Sequence, residues 1–135
     1  MVIKANVVML SGTQLLGTAR NHAVVTDRPL DEGGTDAGVT SGEMLLLAIG
    51  SCTSGSLRRH FSEQGTPCRS LRVEVRFEAP AAPGRRDRIV IDMTLDDDLC
   101  ADRERIRAVA LSGGVTSRVA AASDMEVRIN GATCA

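Results

Sequence analysis

Thr40-Ser41-Gly42-Glu43-Met44-Leu45-Leu46-Leu47-Ala48-Ile49-Gly50-Ser51-Cys52-Thr53 is the stretch on which the reading of this chain turns. Thr40 and Glu43 have the Thr-x-x-Glu spacing of a capping box, in which each side chain accepts a backbone N–H at a helix start. Met44 to Ile49 is apolar on every face, the pattern of a helix buried all round. Beyond Cys52 the pattern thins to Leu57 and Phe61, with Arg58, Arg59, His60 and Glu63 on the wet side. Gly65 and Pro67 end it, so a helix is predicted over residues 41–64.

Upstream of that helix the chain reads as strands. Val2 and Val7 to Leu10 suggest one, Ser11-Gly12-Thr13 a turn, Leu15 to Ala19 a second strand and His22 to Thr26 a third. Residues 27–39 lose periodicity and collect Pro29, Gly33, Gly34 and Gly38, which marks a long loop of the kind that often carries function. Downstream, Leu71, Val73, Val75 and Phe77 alternate, as do Ile89, Ile91 and Met93, around the turn-rich residues 79–84. Asp98 or Asp102 can cap a second helix with Ile106, Val109 and Ala110 as its apolar stripe. Ser112-Gly113-Gly114 interrupts it, Val115 to Ala122 resumes as a shorter helix, and Met125, Val127 and Ile129 supply a last strand.

The order β-β-β, α, β-β, α-α, β predicts an α+β fold with mostly antiparallel strands. No internal repeat or linker is visible, so residues 1–135 read as one domain. The apolar front of the first helix exceeds what one sheet face covers. Strands and another helix, or a second subunit, must wrap it, so a homodimer is expected.

Composition narrows the function classes. With 2 Phe and no Trp or Tyr, the core is aliphatic, and so few rings weaken any case for stacking on bases. A net charge of -1, from 16 basic and 17 acidic residues, carries no polyanion bias, so nucleic acid is not an expected partner. The longest apolar run is too short for a bilayer, and the first residues show no export signal, so a soluble cytoplasmic protein is expected. The four cysteines, Cys52, Cys68, Cys100 and Cys134, lack any zinc spacing, and two histidines do not supply one. No metal and no cofactor are expected, and in a reducing compartment the thiols stay free.

Among those thiols Cys52 stands out. Ile49, Ala48 and Leu45 precede it by three, four and seven positions, so it shares their face. A buried cysteine is often no more than a small hydrophobe. Here, however, Gly50-Ser51-Cys52-Thr53-Ser54-Gly55-Ser56 surrounds it with small residues that weaken the helix and admit a close neighbour or ligand. Reactivity would require a cation to favour the thiolate. Arg59 and His60 fall near its side of the helix, where solvated surface groups are the plainer reading, and Arg20 and Arg28 could fold over it from the loop region.

The stretch from Gly38 to Thr53 resembles the central-helix signature of the OsmC/Ohr family, which runs as Pro-x-Glu-Leu-Leu-Leu-Ala-Ala-Leu-Gly-Ser-Cys-Thr in many members. The order of elements fits over nearly the whole chain. The resemblance implies an intertwined homodimer, with an antiparallel sheet wrapped around central helices and active sites at the subunit interface. It also implies a peroxidatic cysteine, matched by Cys52, that reduces small organic hydroperoxides and becomes a sulfenic acid. A second cysteine then forms a disulfide that an external thiol reductant opens. An arginine and a glutamate assist, which makes Arg28, Arg118 and Glu43 candidates.

The chain departs from that pattern at the second cysteine. The family's Cys-Pro-Val-x-Arg/Lys string corresponds to Gly114-Val115-Thr116-Ser117-Arg118, so Gly114 stands where the cysteine would. Glu43 precedes Cys52 by nine positions, about 180° round a helix at roughly 100° per residue, and fits its capping role better. The expected function is an OsmC-like thiol-redox protein that reduces or senses organic hydroperoxides through Cys52 alone. The alternative is a non-catalytic dimer of the same fold binding a small apolar ligand in an interface pocket. An unrelated α+β domain is the third reading.

Overall fold

The computed structural model describes residues 2–80, 82–84 and 87–134. They form helices and strands in the expected order, with a short further strand, Ala132–Thr133, after the one expected to be last, and the fold is α+β. Contacts divide the chain into two compact units, Met1–Leu45 and Leu46–Ala135.

The first unit is built on a three-stranded antiparallel meander of β1 (Asn6–Met9), β2 (Leu15–Ala19) and β3 (His22–Thr26). Gly12, at φ 59°, makes the first turn, and Arg20, at φ 53°, sits in the two-residue turn that sets Ala19 opposite His22. Arg20 is therefore committed to a hairpin turn. The loop that follows contains a one-turn helix, Leu30–Glu32, that the sequence did not announce. A bridge between Thr26 and Val39 closes it.

Helix α1 runs from Ser41 to Glu63, within a residue of its predicted end. Its capping box forms as expected: the Thr40 amide donates to Glu43 Oε1 at 2.9 Å and the Glu43 amide to Thr40 Oγ1 at 3.1 Å. The all-round burial expected of its apolar front is not found. Ile49 is fully buried, but Leu45 and Leu47 are 38% and 56% exposed. Side chains that point in every direction exceed what one packed face can cover.

In the second unit the buried residues of α1 are Ile49, Thr53, Leu57 and Phe61, an i, i+4 stripe. The stripe joins a core with Ile89, Ile91, Met93 and Leu95 of β5 (Arg88–Leu95) and with Val127 and Ile129 of β6 (Met125–Ile129). Ile106 and Ala110 of α2 (Arg103–Ser112) complete it. The sheet order is β4-β5-β6-β7, with β4 at Leu71–Glu78 and β7 at Ala132–Thr133. Val75 pairs with Ile91 and Ile91 with Val127, so one sheet face is apolar across three strands. On the other face Arg76 bridges Glu74, Glu78 and Asp92 at 2.9 to 3.3 Å, and Arg88 joins Glu78 to Glu126. Partly exposed pairs like these contribute about 0–1 kcal/mol each, less than the aliphatic face behind them.

The β4–β5 hairpin is antiparallel, whereas β5 and β6 are parallel. A parallel pair requires a crossover, and α2 with α3 (Gly114–Ala120) supplies it. Asp102 caps α2, its carboxylate accepting the Arg105 amide at 3.0 Å. Gly113, extended at φ -62° and ψ 153°, ends α2 and starts α3.

Candidate functional site

Cys52 precedes the buried Thr53 by one residue, which turns it about 100° off the core stripe, and it is half-buried. Three hydroxyl contacts fix the corner it occupies. Thr53 Oγ1 donates to the carbonyl of Ala110 at 3.0 Å, a group near the end of α2 that lacks an intrahelical partner. Thr116 Oγ1 lies 3.3 Å from Thr53 Oγ1 and 3.5 Å from the carbonyl of Ile49. Thr53 and Thr116 are both fully buried. These contacts seat the start of α3 against the middle of α1.

The Cys52 sulfur faces that start. Burial pushes its thiol up, but hydrogen bonds from the Thr116 hydroxyl and from the Thr116 and Val115 amides outweigh it. The net position is below the ordinary thiol value. The physical cause is plain. The first amides of a helix have no intrahelical acceptor, and a thiolate accepts their protons far better than a thiol does.

Gly113 lets the backbone lie against the sulfur. A Cβ placed on Gly113 would overlap Cys52 Sγ and lie 2.8 Å from Ser56 Oγ. At Gly114 a Cβ would meet Arg118 Nη1 at 3.3 Å and touch no atom of Cys52. Gly114 thus sets no side chain against the Cys52 sulfur, and the backbone at Gly113 lies beside it.

The other thiols differ. Burial, and then Asp96, raise Cys68, which donates to the carbonyl of Ser70 at 3.2 Å. Burial, and then Asp97, raise Cys100, whose sulfur lies 3.1 Å from Asn130 Nδ2. All four cysteines are free thiols. Among the described residues no three His, Cys, Asp or Glu side chains are grouped so as to hold a metal ion, and no helix is long and apolar enough to cross a membrane.

The remaining candidates are placed as follows. Arg118 lies on α3, but its Nη1 donates to the carbonyl of Gly114 at 2.7 Å, closing its own helix turn. Glu43 holds the capping box, and the Thr40 amide and hydroxyl keep its carboxyl below the usual value. Arg28 is an exposed residue of the first unit, and it lines a cavity of about 520 Å³ with Thr13, Leu15, Asp27 and Thr40.

The residue that sequence reasoning passed over in that loop is Asp27, only 4% exposed. Its carboxylate accepts the hydroxyls of Thr13 and Thr35 and the amides of Arg28 at 2.7 Å, Ala37 at 3.1 Å and Thr35 at 3.2 Å. The Thr13 and Thr35 hydroxyls hold it far below the usual carboxylate range, against the opposing effect of burial. A lone aspartate ending a strand before a glycine-rich loop was the available signal. Thr116 was also missed. A threonine in a short helix looks like a surface residue until the helix is known to rest on another.

Comparison with known proteins agrees with this architecture. The chain resembles a candidate osmotic stress induced and detoxification response protein from Psychrobacter arcticus, with a TM-score of 0.77, 18% identity, and coverage of 93% of this chain and 94% of that one. It resembles an organic hydroperoxide resistance protein OsmC from Legionella pneumophila, with a TM-score of 0.71, 10% identity, and coverage of 96% of both chains. A third similar structure is a candidate organic hydroperoxide resistance protein from Vibrio cholerae that holds captopril in one active site. There the TM-score is 0.74, the identity 13%, and the coverage 99% of this chain and 96% of that one. At these identities the likeness shows the fold alone. No protein of curated function matches the chain. The family model for OsmC-like proteins matches residues 33–129, most of the length from the loop to the last core strand, and the chain belongs to the OsmC-like protein family.

Proposed function

We propose that this protein is a thiol-dependent reductant of small organic hydroperoxides, working through Cys52 with an external thiol in place of a second protein cysteine. The observation that carries this reading is the Cys52 sulfur itself, half-buried, favoured as a thiolate, and set against Gly113, which has no side chain. The thiolate attacks the outer peroxide oxygen, the O–O bond breaks, and the alkoxide leaves and takes up a proton as the alcohol. Sulfur is oxidised to the sulfenic acid as the peroxide is reduced. A first external thiol displaces water to give a mixed disulfide. A second attacks that disulfide, releasing the oxidised reductant and restoring Cys52. Captopril, held by the Vibrio cholerae relative, is a small thiol, which supports an external thiol of that size as reductant.

The protein acts as a homodimer in a reducing cytoplasm in this reading. Leu47, Val7, Val8 and Met9 are each more than half exposed, which is apolar area for a second copy to cover. Four free thiols suit such a compartment.

The test is peroxide consumption with cumene hydroperoxide and dithiothreitol, for the natural chain and Cys52→Ser. The natural chain should turn over and the variant should fall to background. Equal background rates for both would remove the reading. A second reading, that the fold binds a small apolar ligand without chemistry, has its own support. The first unit has an apolar cavity of about 450 Å³ lined by Val7, Leu15, Ala23, Val24 and Met44. Saturable binding of an apolar fluorescent probe, unaffected by Cys52→Ser, together with no turnover, would favour it.

A further inference from the structure

We propose that Thr53 is a positioning residue for Cys52, a buried hydroxyl that seats Gly113 against the sulfur and so sets how large a reagent reaches it. This deepens the reading of Cys52 as the working thiol and rests on it.

The assignment starts from the end of α2. The last carbonyls of a helix have no intrahelical donor, and buried ones need a partner from elsewhere. Helix α2 stops at Ser112 because Gly113 is extended, at φ -62° and ψ 153°. The Ser112 hydroxyl donates to the carbonyl of Val109 at 2.7 Å, a bond within one turn. The carbonyl of Ala110, a fully buried residue, is met from across the core by the Thr53 hydroxyl at 3.0 Å. Thr53 is fully buried too, so water does not stand in for its proton. Thr116 of α3 closes the corner from the other side, its Oγ1 3.3 Å from Thr53 Oγ1.

The carbonyl that Thr53 holds is three residues before Gly113, and Gly113 is where the corner meets the cysteine. A Cβ there would overlap Cys52 Sγ and lie 2.8 Å from Ser56 Oγ. Cys52 and Ser56 are four positions apart on α1, neighbours on one side of the helix. Gly113 therefore rests against both and covers part of a half-buried sulfur. One turn of α1 supplies the seat, through Cys52 and Ser56, and the bond that keeps it filled, through Thr53. Neither Gly113 nor Gly114 has a side chain to anchor the corner, and α3 is only seven residues long. Valine has the shape of threonine and would fill the same space, so packing alone does not call for the oxygen.

The test compares Thr53→Val, which removes the hydroxyl but keeps the shape, with Thr53→Ser, which keeps the hydroxyl. Cys52 in the full chain is alkylated at one pH by iodoacetamide and by pyrene maleimide, each adduct resolved by peptide mass. Both reagents attack through the same thiolate, so the ratio of their rates reports access and not ionisation. Loss of one buried hydrogen bond raises the population of the locally open corner, and the ratio of bulky to small reagent should rise by about tenfold in the valine variant. The serine variant should stay with the natural chain. Cys68 and Cys100, which donate to the carbonyls of Ser70 and Asp96, should keep their rates. Should the valine variant not fold, Thr53→Ala is expected to move in the same way. An unchanged ratio in the variant lacking the hydroxyl overturns the proposal. An equal rise in the serine variant also overturns it, as does an equal rise at Cys68 and Cys100, which marks general loosening. Peroxide turnover is measured separately. A raised ratio rescued by serine sustains this role for Thr53 even where no peroxide is consumed, and then the peroxidase reading alone fails.

Discussion

At the scale of single residues, the chemistry of Cys52 is set by what neighbouring positions lack as much as by what they hold. Gly113 is the clearest case. In Gly113→Ala the new methyl must displace the Cys52 sulfur or the start of α3, with Ser56 Oγ only 2.8 Å away on the other side. Overpacking of this kind costs about 1–3 kcal/mol. The expected outcome is a lower urea midpoint together with a Cys52 thiol that titrates closer to its ordinary value, read by denaturation and pH-resolved alkylation. Gly114→Ala meets only the end of Arg118, a flexible side chain, and should leave the Cys52 titration where it was. Measuring both variants separates close approach from loss of glycine as such.

At the scale of elements, two devices hold α1 and the loop before it. The capping box joins Thr40 to Glu43, and Thr40→Ala should cost about 1 kcal/mol, measured as a shift in the denaturation midpoint. Asp27 gathers residues 27–39 around one carboxylate. Because its folded-state value is depressed, its contribution to stability is fully present above the unfolded carboxylate value of about 3.9 and is lost as pH falls below it. Asp27→Asn should therefore lower the denaturation midpoint at neutral pH and remove the acid-dependent part of the loss. The same variant should open the loop to proteolysis. Much of this level was legible in the sequence. β2 and β3 fell at their predicted bounds and α1 within a residue of its end, because alternation and capping are local signals. The Asp27 cluster was not legible, since Thr13 and Thr35 come from distant positions that only the folded meander brings to one carboxylate. Cys52 could be singled out by its small neighbours and by family likeness. The approach of Gly113 to its sulfur could not, because a backbone contact carries no side-chain signature.

At the scale of the whole molecule, the exposed apolar residues are the main consequence for behaviour in solution. Leu47 at 56% and Met9 at 86% exposure are costly to leave in water. With the proposed homodimer, Leu47→Glu should weaken self-association by at least about tenfold, checked by sedimentation equilibrium, since a charge in the dry centre of an interface is strongly disfavoured. A natural chain that sediments as a monomer at micromolar concentration would remove the dimer from the account. The salt-bridged face of β4, β5 and β6 predicts the opposite kind of surface. Arg76→Leu there removes three such pairs and should change stability by no more than about 3 kcal/mol.

The crossover between parallel β5 and β6 has a further consequence. In the proposed function, the groups that favour the Cys52 thiolate arrive on a seven-residue helix that stands between those two strands in the chain, far from α1 in sequence. Fraying of that short segment would return the cysteine to an ordinary, sluggish thiol without unfolding the core. Nucleophilicity should therefore track amide protection at Val115 and Thr116, and warming should quench the first as it erodes the second, well below the global melting point.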